Sequence, residues 1–273
     1  MTDWAAVERE LDAWAAAGRT ATLWWRDDDA GTATPPLKRL LALAARCGQP
    51  LALAVIPADT DEASTSCLAG LDDRVQVLQH GFAHRNHARA DEKKCELLAP
   101  GRRPEVLTEL ARGGAVLKQR FGDRAKAILV PPWNRIHGDL LARLPGLGFT
   151  GLSTYKPRAA AEPLPGLRQV NCHVDLMLWG PERRFAGDAA VLTALVDHLA
   201  ARRLGRADPD EATGIMTHHA VHDEAAWEFL EALFDRLSRH PAAAFLSAEA
   251  AFSAGEKART AEALGAGAGG GVA

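Results

Sequence analysis

Trp4, Val7, Leu11 and Trp14 recur at steps of three and four residues and Gly18 follows them, a spacing that predicts an amphipathic helix over 3–17. From residue 20 onward short apolar runs alternate with longer amphipathic ones. Strands are predicted at 20–26 and at "PLALAVIP", "VQVLQ", "KAILVPP", "GFTGLST", "LRQVNCHV", "GIMTHH" and "AAFLS". Helices are predicted at "PPLKRLLALAARCG", with prolines to open it and Gly48 to close it, and over 60–70, 104–121, 136–144, 188–204 and 223–239. The unbroken apolar run "LALAV" suits a parallel strand covered on both faces. Repeated β-α units build either an open doubly wound sheet or a closed barrel, and seven or so strands in one series favour the barrel. No repeat or shift in composition interrupts residues 20–252. The expected organisation is an N-terminal helix (1–19) packed on an α/β barrel (20–252), with a flexible glycine- and alanine-rich tail (253–273).

With 273 residues, 47% of them hydrophobic and 25% charged, the chain can bury one large core. Its net charge of −3 and lack of any Lys/Arg block exclude a phosphate-backbone binder, so nucleic acid is not an expected partner. No window approaches the ~18 uninterrupted apolar residues of a membrane span, and no membrane partner is expected. The N-terminal stretch is acidic without an apolar core, which reads as cytoplasmic rather than secreted. Cys47, Cys67, Cys95 and Cys172 have no paired spacing and read as reduced thiols.

The polar residues change the picture. Asp27, Asp28 and Asp29 follow the first strand, His80 and His84 follow "VQVLQ", "PPWNR" follows "AILV", Asp175 ends "VNCHVD", and His218 and His219 end "GIMT". Each group lies after its strand, and in β-α folds that is the rim where functional loops converge. On a helix or a tight loop, His80 and His84 share one face; two neutral imidazoles plus a carboxylate from the aspartate trio make a three-ligand set for Zn2+ or a similar divalent ion. His87 and His219 are further candidates around that ion, while His222 reads as surface. Trp24, Trp25, Trp133 and Trp179 all fall near the expected rim, and Trp133 is the best placed to lie against a sugar face.

An aspartate pair after the first strand, a histidine with a second four residues on, a proline-tryptophan loop, an aspartate before a later tryptophan and a late strand ending in histidine together resemble the polysaccharide deacetylase family, also called NodB-homology. The resemblance spans roughly 20–252. It implies a distorted (β/α)7 barrel that uses a divalent metal to remove acetyl groups from N-acetylated, sometimes O-acetylated, sugars or glycans. Carried across, it implies Asp29, His80 and His84 as ligands of Zn2+, with Co2+, Ni2+ or Mn2+ as alternatives. It further implies Asp28 as general base, His218 as general acid, Trp133, Asn134 and Arg135 as pocket lining, and Asp175 as the group that orients a catalytic or pocket residue. Two departures stand out. The family has two aspartates where this chain has three, so the base and ligand are either Asp28 and Asp29 or Asp27 and Asp28; "RDDDAG" favours the former. The oxyanion loop of the family opens with arginine, whereas Val130 stands here, leaving Arg26 or Arg135 to replace it. Other readings are a sugar- or metal-binding module without turnover and a hydrolase of a non-sugar amide. The N-terminal stretch points to a small or soluble acetylated substrate.

Overall fold

In the computed structural model, which describes residues 3–69, 73–98, 101–180 and 182–253, helix α1 (Trp4–Ala16) opens where the Asp3 carboxylate accepts from the Ala6 N–H. Strand β1 (Ala21–Ala30) leads into α2 (Pro35–Cys47), whose C-cap Gly48 takes the left-handed conformation. The alternation continues through β2 (Leu51–Val55), α3 (Glu62–Ala69), β3 (Val75–His80), α4 (Arg103–Phe121), β4 (Ala125–Val130), α5 (Gly138–Leu141) and β5 (Gly151–Leu152). Then come β6 (Arg168–Gln169), β7 (Val174–Asp175), an antiparallel ribbon of β8 (Met177–Leu178) with β9 (Arg184–Phe185), and finally α6 (Asp188–Arg203), β10 (Thr213–Thr217), α7 (Glu224–Arg239) and β11 (Ala243–Leu246). The expected tail lies, beyond Ser253, outside the described residues.

Parallel pairing runs β6-β5-β4-β3-β2-β1-β10-β7. The two ends of that path belong to one extended stretch: Gln169 pairs with Leu152 of β5, while Val174 pairs with Ile215 of β10. Residues 168–175 therefore act as a single interrupted strand that closes the ring, and the fold is a distorted (β/α)7 barrel. Strand β11 stays outside the ring, beside the first half of β1, where Ala21 pairs with Ala243 and Trp24 with Leu246.

Side chains alternate across each strand, so every strand serves two compartments. Trp24, Ala52, Ala54, Leu78, Val130 and Met216 pack inside the barrel, whereas Leu23, Trp25, Leu53, Val55 and Val77 face the helices. Helix α1 joins the outer core through Val7, Leu11 and Trp14, with the Trp14 Nε1–H donating to the Leu199 carbonyl of α6. Among the described residues no helix is long and apolar enough to cross a membrane.

The strands differ from the sequence pattern in length. Strand β1 extends four residues past its predicted end and holds all three aspartates. The helix expected over 136–144 shrinks to the single turn of α5, followed by a 3-10 turn at Pro145–Leu147. Trp24 and Trp25 are fully buried in the wall rather than at the rim, their indole N–H groups donating to Asn171 O and Thr217 Oγ1.

Candidate active site

Alternation along β1 sorts the aspartates. Arg26 and Asp28 share the inner face, while Asp27 faces outward. Asp27 is fully buried there, against His219 Nδ1 at 2.5 Å, with Thr217 Oγ1 and the His219 N–H also donating to it. Burial would raise its pKa, but the His219 charge and hydrogen bond hold Asp27 below the ordinary carboxylate value. Inside the barrel, Arg26 Nε and Nη2 donate to the two Asp28 oxygens at 2.8 and 2.9 Å. Its remaining donors reach Ser153 Oγ, Thr154 O and Asn134 Oδ1. Strict alternation would send Asp29 outward. Instead the pairing register shifts between Asp27 and Ala30, and Asp29 adopts φ +66°, which turns its carboxylate into the barrel mouth.

There Asp29 Oδ1 lies 3.0 Å from His80 Nε2 and 3.2 Å from His84 Nε2. His80 ends β3, and its Nδ1–H donates to the Val130 carbonyl at 2.9 Å, so a neutral ring presents the Nε2 lone pair to the carboxylate. Two acceptors held face to face need a proton or a cation between them. Burial lowers the His80 pKa, yet the Asp29 hydrogen bond and the charges of Asp28 and Asp29 outweigh it and raise the value. Asp29, despite burial, is held well below the usual carboxylate range by His80, with His218 and His84 adding to the effect. One oxygen and two imidazole nitrogens within 4.8 Å of one another fit Zn2+ or a similar divalent ion.

His84 does not sit on a helix. It belongs to a loop with φ +53°, and the buried carboxylate of Glu96 holds that loop by accepting from the N–H groups of Phe82, Ala83 and Arg85. Gly81 is required: at φ +56° an added Cβ would fall 1.9 Å from Glu96 Oε2.

The other walls come from the ends of β4, β7 and β10. Trp133 and Asn134 take φ +55° and +56°, so four of the five non-glycine residues with positive φ among the described residues border one cavity. Trp133 packs on the His84 ring at 4.3 Å and Trp179 on the His218 ring at 4.5 Å. Asp175 accepts from the Trp179 Nε1–H at 2.7 Å and from the Met177 N–H; burial raises its pKa. His218 Nε2 is 3.9 Å from Asp28 Oδ2, and its buried Nδ1 has no hydrogen-bond partner. Asp28, Asp29, His80, His84 and His218 thus border one cavity of about 490 Å3.

No family model matches the chain, and no curated relative does. Solved structures do match. The CE4 esterase of Streptococcus mutans aligns with a TM-score of 0.54 at 13% identity, over 88% of this chain and 90% of that one. The chain has the fold of a carbohydrate deacetylase. A family 4 acetyl xylan esterase from Clostridium thermocellum, solved with a cobalt ion, gives 0.51 at 13% identity over 85% and 90% of the two chains. A deacetylase solved with its substrate gives 0.51 at 17% identity over 88% and 93%. At such identities the likeness is one of fold.

Within this deacetylase-type barrel, the structure brings Trp133, Asn134, Arg135 and Asp175 to the same cavity as the candidate ligands, base and acid. His87 is not among the converging ligands; its N–H donates to the Cys95 carbonyl. His219 is occupied with Asp27, and His222, expected at the surface, packs against Trp227, where burial pushes its pKa down to about 4. Of the two arginines that could replace the missing one at Val130, Arg26 reaches Asp28, while Arg135 is exposed at the cavity mouth. Sequence reasoning missed Glu96, Tyr155, Lys94 and Arg183, which lie in loops without periodicity. A second cluster, His173, His198 and Glu211, sits by the start of β10. Its imidazole planes stack 15° apart with centroids 3.5 Å apart, so one ion cannot lie in both ring planes. Burial, with His173 and Arg202 nearby, pushes His198 down to about 2, which suits two neutral rings.

Proposed function

We propose that the protein is a metal-dependent hydrolase that removes an acetyl group from an N-acetylated sugar or glycan, with O-acetylated sugars as a related class. One observation carries this reading. A carboxylate locked by an arginine, a histidine 3.9 Å from that carboxylate, and an Asp-His-His ligand set all border a single cavity.

Asp29, His80 and His84 would hold the ion. When bound, a divalent ion there lowers the pKa of a water toward neutrality and polarises the acetyl carbonyl. Asp28 takes the proton of the attacking water, its orientation held by the two-point contact with Arg26. As the C–N bond breaks, His218 gives a proton to the departing nitrogen, which leaves as a neutral amine and not as an amide anion. The 3.9 Å between His218 Nε2 and Asp28 Oδ2 puts both proton-transfer groups within reach of one bond. Trp133 and Trp179, packed on His84 and His218, offer aromatic faces to a sugar ring from two sides of the cavity.

The test is acetate release from a panel of N-acetyl and O-acetyl sugars and linear amides, with chelated protein and after re-addition of Zn2+ or Co2+. Activity that disappears on chelation and returns with metal supports the reading. Full activity in metal-free protein refutes the metal role, and binding of sugar without acetate release favours a binding module.

A further inference from the structure

The three carboxylates facing the cavity all have partners. Asp28 is bound by Arg26, Asp29 faces His80 and His84, and Asp175 accepts from Met177 and Trp179. The three cations that line the same cavity do not: among the described residues, Lys94, Arg135 and Arg183 make no ion pair with a carboxylate. Arg135 Nη1 donates to the Lys94 carbonyl at 2.9 Å, which ties these two residues together on the Trp133 side. Arg183 lies over the Trp179 ring, 5.9 Å from its centroid, on the His218 side. A neutral sugar would leave all three guanidinium and ammonium groups without a charged partner. The chain as a whole carries −3, so this positive mouth is a local feature and not a reflection of overall charge.

We propose that the substrate carries an anionic group, a carboxylate or a phosphate, in addition to the acetyl group, and that Lys94, Arg135 and Arg183 receive it at the cavity mouth. This rests on the hydrolase reading above and narrows its substrate class. Arginine forks favour planar, two-point recognition of both anions, and the ammonium of Lys94 adds a point charge. The contact would be partly solvated, so it acts on substrate capture and weakens with salt.

The experiment compares matched probes: N-acetylglucosamine against its 1-phosphate and 6-phosphate, and the corresponding 6-carboxylic acid against its methyl ester. Acetate release is measured at low and high salt, and equilibrium binding of the same probes is measured on the Asp28→Asn protein. At least one anionic probe is expected to exceed its neutral counterpart by about tenfold in kcat/KM and in binding at low salt, mostly through KM. The ratio should fall at high salt and at least halve in the Lys94→Gln/Arg183→Gln double variant, which leaves only Arg135 of the three cations. Phosphate and carboxylate arms separate the two sources of charge. If no anionic probe is preferred, or the preference is undiminished in the double variant, the proposal is overturned. If charge preference in binding persists while no probe releases acetate, the hydrolase reading fails and the anion-accepting cavity stands.

Discussion

Replacing Arg26 by Met tests the best-defined contact of the site. The guanidinium binds both Asp28 oxygens at 2.8 and 2.9 Å, and the two side chains are 0% and 2% exposed. Two unit charges about 4 Å apart at an effective dielectric of about 20 attract by ~4 kcal/mol. Without the guanidinium the Asp28 carboxylate loses the two charge-assisted hydrogen bonds that fix its orientation, so the rate is expected to fall by about 10–10²-fold. The turnover rate should therefore fall while metal content stays near normal. An unpaired buried carboxylate also costs about 3–5 kcal/mol of stability while it stays ionised. Arg26→Met/Asp28→Leu removes both charges, so it should regain part of the lost melting temperature without regaining rate. Acetate release across pH, metal content and thermal unfolding of the three proteins decide the matter. A normal rate in Arg26→Met would refute the assignment of Asp28 as the arginine-locked base.

The aspartate series separates three roles: Asp28→Asn should keep metal and lose about 10² or more in rate, while Asp29→Asn should lose about 10–100-fold in metal affinity. Asp27→Asn should keep metal and most activity but lower stability, because it breaks the buried contact with His219; metal loss in Asp28→Asn with an inactive, metal-loaded Asp27→Asn would move the pair one residue upstream. Glu96→Ala frees the amides of Phe82, Ala83 and Arg85, so metal affinity should drop with secondary structure unchanged by circular dichroism; unaltered affinity would show that His84 is positioned without it. His198 has its pKa depressed from 6.5 to about 2, so the unfolded chain binds a proton that the folded one refuses, and stability should fall as pH drops below 6.5 by up to ~1.4 kcal/mol per unit. His198→Gln should flatten that slope, and an unchanged slope in unfolding experiments would rule out His198 as its source.

The helices and strands were legible where burial follows a period: Val7, Leu11 and Trp14 mark one face of α1, and "LALAV" marks a strand covered on both sides. A barrel was expected from the series of strands, but the way it closes was not, because residues 168–175 pair with different neighbours at their two ends and no local pattern encodes that. The convergence of Asp28, Asp29, His80, His84 and His218 was legible from their places after successive strands. The means of convergence was not. Asp29 enters the cavity through a bulge and a left-handed backbone, and His84 through a loop anchored by Glu96 from 12 positions away in the chain. Trp24 and Trp25 misled for a related reason: their strand ran on past them, so residues expected at the rim lie inside the wall.

Three consecutive carboxylates would repel one another if they shared one environment. Here a two-residue period and one bulge give each its own partner: His219 for Asp27, Arg26 for Asp28, and the His80–His84 pair for Asp29. The separation has a mechanistic consequence. Because Arg26 and Asp28 stand two residues apart on the same strand, one rigid stretch of backbone sets the orientation of the carboxylate, and the loop after β4 need not supply it. That loop then contributes Asn134 as a neutral acceptor for the same guanidinium and turns Trp133 onto His84. Val130 can accordingly be an apolar residue of the barrel interior while its carbonyl receives the His80 Nδ1–H. The arginine that orients the proposed base and the carbonyl that orients His80, a proposed metal ligand, thus come from different strands, so a change in one need not disturb the other. Arg26→Met should for this reason leave metal affinity near normal while it lowers the rate; loss of metal together with the rate would refute this separation.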